Sequence, residues 1–240
     1  MGRPKINKTK ITNDWQKYCP ELRKLRMLDI DNRVGPLVIG FYLQVIGDGT
    51  IYMPLYKVEN LYSHYSVLPS SLEIEGRTMD MQTHEAYSEQ VAQQLIEKAY
   101  IPLQGEVTFE NIKNGYERYF KNPNKGTIVE YEDYVYISSW TRNKLFFETA
   151  LNTVYNELKA WPEERYFVQA GGFQNWILEL EKKASNHEIL EDNYRKKIAK
   201  YKIEKLPERP FYNRDKLLQS PAVYYVQADG PVFLSRTSLR

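Results

Sequence analysis

The sequence predicts an α+β protein that is mainly helical. Apolar residues recur at helical spacing over most of the 240 residues, and short stretches rich in β-branched and aromatic residues are typical of strands. Apolar residues make up 42% of the chain, which is enough for a core, and the mean hydropathy of −0.61 argues against a membrane protein. At this length we expect one large domain or two small ones.

Residues 1–12 contain little apolar surface and are predicted to form a basic tail. Within it, Gly2-Arg3-Pro4-Lys5 is similar to the core of an AT-hook, which enters the minor groove of DNA. A short helix around Trp15 follows, and leucines at three-residue spacing predict a second helix over 21–28.

The densest apolar run of the chain lies between Gly35 and Pro54. Pro36 suits the first position of a helix, and the residues up to Ile46 are apolar nearly all round, which is typical of a buried helix. Gly47-Asp48-Gly49 then ends it. This part of the chain therefore predicts a central core helix followed by a short strand over 50–53.

The next hundred residues continue the helical pattern. Apolar spacing predicts helices over 55–65, 83–100 and 109–120, with a Pro- and Gly-containing loop over 68–76 between the first two.

Several short motifs of this half occur in a recognisable order. They are Lys24-Leu-Arg-Met-Leu28, a polar turn with Gly35, the predicted core helix, Asp48-Gly49, Tyr52-Met53, Gln94–Ile101 and Asn114–Tyr119. Over about residues 20–120 the chain resembles the N-terminal winged-helix domain of the replisome-organiser proteins of phages and mobile elements. The resemblance implies a winged-helix-like domain over 13–121 and a DNA-binding role in replication initiation. The chain departs from that family in an apparent insertion over 66–84, and Asp29, Asp31 and Glu85 make the DNA-facing helices less basic.

The second half begins with a β element. Thr127–Ile137 is rich in β-branched residues and tyrosine, which predicts a hairpin or one long strand. A helix over about 139–160 and a long charged helix over 173–206 follow, so that 122–206 forms a β-hairpin plus long-helix region. Residues 207–240 are predicted to be an extended C-terminal arm with a second hairpin over 223–234.

No motif with a defined chemistry stands out. His64, His84 and His187 lack the i+3 or i+4 partner of a metal pair and are predicted to be surface or interface residues. Cys19 is the single cysteine, which excludes an internal disulfide and favours an intracellular origin. Glycine-rich nucleotide-binding motifs are absent, and the carboxylates of Glu73–Glu75 and Glu130–Asp133 are interpreted as solvated. We therefore expect no enzyme activity, catalytic residue, cofactor, metal or small-molecule substrate.

Charge is segregated along the chain. Residues 1–26 carry eight Lys and Arg against two Asp and Glu, residues 27–181 carry twelve against twenty-two, and residues 182–216 carry eleven against six. Basic ends therefore flank an acidic body, and they can bind either nucleic acid or the acidic body of a second copy. The candidate contacts with a partner or nucleic acid are Arg3, Lys5, Lys182, Lys183, Arg195, Lys196, Lys197, Lys200, Tyr224, Tyr225 and Phe233.

Two functional hypotheses follow. The first is a structural protein of a phage virion, such as a neck or tail connector or a ring subunit, made in the host cytoplasm and forming homo-oligomers with further assembly proteins and no membrane contact. Twenty tyrosines, a side chain favoured at protein interfaces, and the apolar arm support it. The alternative is a winged-helix DNA-binding protein of a phage or mobile element, cytoplasmic and nucleoid-associated, which is supported by the resemblance and the basic ends.

Overall fold

The computed structural model describes residues 4–63, 70–122 and 126–212. An α-helix leads into a five-stranded antiparallel sheet with the strand order β1-β2-β3-β4-β5, and helices follow the sheet. Helices account for 54% and strands for 20% of these residues, which confirms the predicted α+β, mainly helical class. The strands are β1 (Arg23–Arg26), β2 (Asp29–Val34), β3 (Leu37–Ile46), β4 (Ile51–Asn60), β5 (Ser70–Glu75), β6 (Val107–Thr108) and β7 (Phe211–Tyr212). The α-helices are α1 (Lys8–Tyr18), α2 (Met81–Lys98), α3 (Phe109–Phe120), α4 (Ile128–Trp140), α5 (Lys144–Leu158), α6 (Glu163–Tyr166), α7 (Phe173–Ser185) and α8 (His187–Tyr201).

The predicted core helix after Pro36 is wrong, because these residues form strand β3. Residues 37–41 of β3 are buried on both faces, so the alternation of apolar and polar residues that marks a strand is absent there and begins only with the exposed Tyr42 and Gln44. Gly47 and Gly49, both at positive φ, form the turn to β4, and ten successive residue pairs join the two strands. The β-branched residues of this segment, which are Val38, Ile39, Val45 and Ile46, favour a strand over a helix.

Three neighbouring predictions are also wrong. Residues predicted as a helix over 21–28 form β1, those over 55–65 largely continue β4, and part of the predicted loop over 68–76 is β5. Strands therefore occupy the part of the chain in which the resemblance implies helices, and the layout is not clearly that of a winged-helix domain.

Helix α4 replaces the strand or hairpin predicted for Thr127–Ile137. It is the central helix of the C-terminal half and packs against α5 and α7. Buried side chains lie around most of its circumference. The side chain of Glu130 reaches back to the backbone N–H of Thr127, in a capping box that starts the helix. Burial on all sides outweighs the strand preference of its tyrosines and β-branched residues.

The other helices follow the sequence more closely. The predictions for α2 and α3 are confirmed to within about two residues. Helix α5 begins after the N-cap Asn143, later than predicted, and the long helix predicted over 173–206 breaks at Asn186 into α7 and α8. Helix α1 begins at Lys8 after the N-cap Asn7, so the predicted basic tail over 1–12 is partly helical.

The sheet is covered on both faces. One face contributes to a large core that runs from α1 through α2 and α3 to α7. On the other face a smaller cluster joins Val38 and Leu61 to Ile203 and Leu206, with α8 packed beside it. The C-terminal part of the chain therefore returns to cover the N-terminal sheet.

Candidate functional site

The most unusual feature of the molecule is a set of buried charges on the sheet face that α8 covers. Asp29 and Asp31 lie on this face of β2, and Lys57 and Glu59 lie on it in β4. Strand β3 separates the two pairs, and the residue between Asp31 and Lys57 is Gly40. Because glycine has no side chain, Lys57 can reach across β3 to the aspartates.

Lys57 is at the centre of this charge cluster, which we define as Asp29, Asp31, Lys57 and Glu59. Its Nζ lies 2.8 Å from Asp29 Oδ1, 3.3 Å from Asp31 Oδ1 and 3.2 Å from Glu59 Oε1. The second carboxylate oxygen of Asp29 accepts a 2.7 Å hydrogen bond from Nε of Arg26 at the edge of the sheet. Two cations thus face three carboxyl groups.

The pKa values show which of the three carboxyl groups is ionised beside the two cations. Burial raises the pKa of Asp31 well above its ordinary value, and burial also raises the pKa of Glu59. Burial opposes ionisation of Asp29 as well, but Lys57 and Arg26 outweigh it and hold its pKa below the ordinary value. Asp29 is therefore the ionised partner of Lys57, whose own pKa the three carboxyl groups raise despite its burial.

Helix α8 closes this face with a second buried cation. Lys197 is 7% exposed, and its Nζ has no hydrogen-bond partner among the described residues. Burial lowers the pKa of Lys197 to about 8, although the nearby charges of Asp133 and Glu59 raise it. The four residues of the charge cluster are therefore buried, and electrostatic interactions connect strands β2 and β4 with helix α8.

Further polar contacts connect α8 with β2 and with the residues that follow β4. The hydroxyl of Tyr62 donates a 2.5 Å hydrogen bond to Oε1 of Glu191, and the guanidinium of Arg33 donates to the hydroxyl of Tyr194. The rings of Tyr62 and Tyr194 meet edge to face, with their centroids 6.1 Å apart.

After α8 the chain forms a strap, residues 207–212, that lies on the body in extended conformation. Its backbone bonds to both sides of Arg33, from Arg33 N to Pro207 O at 3.0 Å and from Arg209 N to Arg33 O at 2.7 Å. The buried guanidinium of Arg209 donates to the carbonyl oxygens of Pro102 and Gly105. The strap ends in β7, which pairs in parallel with β6.

The sequence-predicted contact residues are dispersed. Lys5 is exposed near the N-terminus, and Lys182, Lys183, Arg195, Lys196 and Lys200 are exposed on α7 and α8, whereas Lys197 is buried. Arg3, Tyr224, Tyr225 and Phe233 lie outside the described residues, as does the hairpin predicted over 223–234. None of the charge-cluster residues was among these candidates. The signal that could have found them is the i, i+2 spacing of Asp29-Ile-Asp31 and Lys57-Val-Glu59, which places two charges on one face of a strand.

A second buried polar network involves His84, which was predicted to lie at the surface or an interface. Its Nδ1 lies 2.6 Å from the hydroxyl of Tyr52, which accepts a hydrogen bond from Nε1 of Trp15. Its Nε2 lies 3.3 Å from Oδ2 of Asp14, and because a carboxylate accepts, the neutral ring with its proton on Nε2 satisfies both contacts: Nε2 donates to Asp14 and Nδ1 accepts from Tyr52. The prediction was wrong because the polar residue fills a core position at which α1, α2 and β4 meet. His187 begins α8 and is partly exposed, and His64 lies outside the described residues.

This network predicts that the protein becomes less stable as the pH falls below about 6.5. Burial lowers the pKa of His84 in the folded protein. As the pH falls, the histidine therefore takes up a proton more readily in the unfolded chain, and this protonation favours unfolding. A further loss is expected below about pH 4, because hydrogen bonds from two lysines and from His84 outweigh burial and lower the pKa of Asp14 to about 2. Urea unfolding between pH 7 and pH 5 measures the first effect.

The variant His84→Gln is the control for this prediction. Glutamine keeps a polar side chain at the position but does not titrate, so its stability is expected to vary less between pH 7 and pH 5. An equal pH dependence in the two proteins would contradict the assignment to His84.

The described residues contain no group of three or more His, Cys, Asp or Glu side chains placed to hold a metal ion. In the same ranges, no helix combines the length and apolar character that a membrane crossing requires. Comparison of the chain with protein-family models, curated proteins and solved structures found no match.

Proposed function

We propose that this protein is a non-enzymatic structural protein that works through protein–protein interfaces, as a phage virion component such as a neck or tail connector or a ring subunit. It would be made in the host cytoplasm and assembled into the virion. The observation that carries the proposal is the strap, because it brings the C-terminal end of the described chain onto the body by backbone pairing.

The residues beyond the strap support an assembly role. After Tyr212 the chain has 28 more residues, among them the β-prone and apolar Val223–Val226 and Val232–Leu234. Extended segments of this composition bind other proteins by adding a strand to an exposed sheet edge. A neighbouring copy or another assembly protein would supply such an edge, and the described chain ends in β7, which pairs with β6.

We expect the full chain to form an oligomer that depends on the arm. Replacing Tyr224, Tyr225 and Phe233 together with serine is expected to yield a monomer of about the chain mass of 28.4 kDa, since these are the aromatic residues of the sequence after residue 212. Size-exclusion chromatography with light scattering measures the mass.

The matched control removes two exposed aromatic residues of the body, in the variant Tyr87→Ser/Tyr155→Ser. It is expected to retain the oligomer. A full chain that stays monomeric at its highest soluble concentration would refute the proposal.

The second candidate is a winged-helix DNA-binding protein acting in replication initiation, cytoplasmic and nucleoid-associated. The exposed cations of α7 and α8 favour it, since phosphate contacts require such charge. Their charge is offset on the same helices, because Lys182 lies 3.5 Å from Glu179 and Lys196 lies 2.5 Å from Asp192. The assembly role is therefore proposed first. If the second candidate is right, Lys182→Gln/Lys183→Gln is expected to weaken duplex binding.

A further inference from the structure

Helix α8 contributes few buried side chains to the fold. All of its 15 residues are described, and the buried ones are Leu190 and Lys197. Leu190 belongs to the large core and lies close to Asn186, the residue that separates α7 from α8. The side chain that is buried in the second half of the helix is therefore a lysine. Elements that bury little apolar surface open more easily than the core to which they belong.

We propose that α8 is a latch that opens from the sheet as one local unit while the rest of the fold stays in place, and that acid holds this latch closed. The latch is defined as residues 187–201, the extent of α8. The inference goes beyond the assembly role and does not depend on it, because it concerns a movement within one chain.

Polar atoms on both sides of the contact between α8 and the sheet favour opening. Nζ of Lys197 and Oε2 of Glu59 are buried without a hydrogen-bond partner among the described residues. An unpaired buried polar atom destabilises the state in which it is buried, and water satisfies it as soon as the helix moves away. The closed latch therefore carries a free-energy cost that the open one lacks.

The chain on either side of the latch is better anchored. At the end of α7 the hydroxyl of Ser139 donates a 2.6 Å hydrogen bond to the carbonyl oxygen of Ala184. Beyond α8, Ile203 and Leu206 are buried in the small apolar cluster on the sheet. The opening is therefore confined to the segment between Asn186 and Ile203.

Acid acts on the latch through Asp31 and Glu59, which interact with Lys57, Asp29 and Arg26 on the sheet. Burial raises the pKa of both carboxyl groups in the closed protein, so each binds a proton at a higher pH there than in the open protein. Such groups favour the closed state as the pH falls. Asp29, whose pKa is lowered, opposes closure only below about pH 4.

Lys197 contributes little to the pH dependence below pH 7. It interacts with Asp133 of α4, with Glu59 and with Lys200, and burial lowers its pKa to about 8. At pH 7 and below it is therefore protonated in both the closed and the open protein. Its cost to the closed state is present throughout this range.

His187, the first residue of α8, acts in the opposite direction. It interacts with Arg142 and Glu191, and burial lowers its pKa, so its protonation favours opening as the pH falls below about 6.5. The partly exposed ring of His187 can be replaced without leaving a cavity in the core. The variant His187→Gln, which removes the opposing titration, is therefore the background for the test.

The test is amide hydrogen exchange of the full-length His187→Gln protein at pH 7 and pH 5, corrected for the intrinsic exchange rates. The amides of α8 are expected to exchange through an opening that is more frequent than the opening of β3 and α4. The opening constant of α8 should fall by about tenfold between pH 7 and pH 5, since a pKa difference of one unit between the two states changes it tenfold. The stability of the whole fold falls over the same range because of His84, so the two effects have opposite signs.

Lys197→Met in the same background tests the role of the buried ammonium. Methionine fills a similar volume without a charge, so the opening constant of α8 at pH 7 is expected to fall by about tenfold or more, because a pKa of about 8 instead of 10.5 marks the protonated lysine as unfavourable in the closed state. The matched control is Arg195→Met, which removes an exposed cation from the same helix and is expected to leave the opening constant within about threefold.

Three results would each overturn the proposal. The first is exchange of the α8 amides with the same opening constant as β3, which would show that α8 opens only when the whole protein unfolds. The second is an opening constant of α8 that stays constant or rises between pH 7 and pH 5. The third is a Lys197→Met variant in which α8 opens as often as in Arg195→Met, or more often.

Discussion

Replacing Lys57 with methionine is expected to lower the free energy of unfolding by about 3–5 kcal/mol at pH 7. Methionine fills a similar volume, so the loss is not one of packing. The cost arises because the buried carboxylate of Asp29, 2.8 Å from Lys57 Nζ, loses its principal counter-charge. The guanidinium of Arg26 remains, but its side chain is 63% exposed and its attraction is screened by water. Urea unfolding of the two proteins measures the difference.

The control combines Lys57→Met with Asp29→Asn. The asparagine removes the stranded charge, so the double variant is expected to be more stable than Lys57→Met alone, even though it carries one more substitution. The destabilisation by Lys57→Met should also shrink at acid pH, where the carboxyl groups take up protons. A loss at pH 7 of less than about 1 kcal/mol, the range of an exposed ion pair, would show that the cluster is hydrated.

Replacing Gly40 with alanine is expected to cost about 1–3 kcal/mol, or more if the backbone cannot shift. A Cβ at this position would lie 2.1 Å from the carbonyl oxygen of Ile30 and 2.5 Å from Oδ1 of Asp31. The first of these atoms belongs to the backbone of a central strand and cannot rotate away. Urea unfolding measures the loss of stability, and hydrogen exchange of β2 and β3 shows whether the sheet opens there.

Tyr42→Ala is the matched control for Gly40→Ala, because Tyr42 lies two residues further along β3 on the same face and is 38% exposed. It is expected to cost about 1 kcal/mol or less. If the two variants were equally stable, the close approach of β2 and β3 at Gly40 would not be a constraint.

The helices with one apolar face and one polar face could be predicted from the sequence. Helices α2 and α3 expose one side to water, so their apolar residues keep a helical period. The ends of these helices were also predicted closely. When an element is covered on one side only, the spacing of its apolar residues matches the period of its secondary structure.

Elements that are covered on all sides could not be predicted in this way. The first half of β3 is buried on both faces, because the core that contains α1 covers one face and the C-terminal residues cover the other. Helix α4 is buried on nearly all sides, and its tyrosines favour a strand locally. In both cases tertiary packing decides the structure, and the sequence pattern contains no period that separates helix from strand. The capping signal Thr127-x-x-Glu130 was the one local clue to α4.

The charge cluster could not be predicted for a related reason. Asp29, Asp31 and Lys57 have side chains that are typical of a surface, yet they are buried, and the sheet face on which they lie is covered by α8 and the residues after it, more than a hundred residues further along the chain. The same holds for Arg33, whose contact Glu208 is 175 residues further along the chain. Lys197 was predicted to contact a partner or nucleic acid together with the other basic residues of α8, whereas its side chain is buried.

The late position of α8 in the chain has a consequence for synthesis on the ribosome. Chains emerge from the N-terminus, so β2, β3 and β4 are exposed to solvent well before α8 exists to cover them. A fully apolar sheet face would favour aggregation during that interval, whereas the charged side chains of Asp29, Asp31, Lys57 and Glu59 keep this face hydrated. The same carboxyl groups and lysine that are enclosed in the finished protein thus protect the nascent sheet from association with other chains.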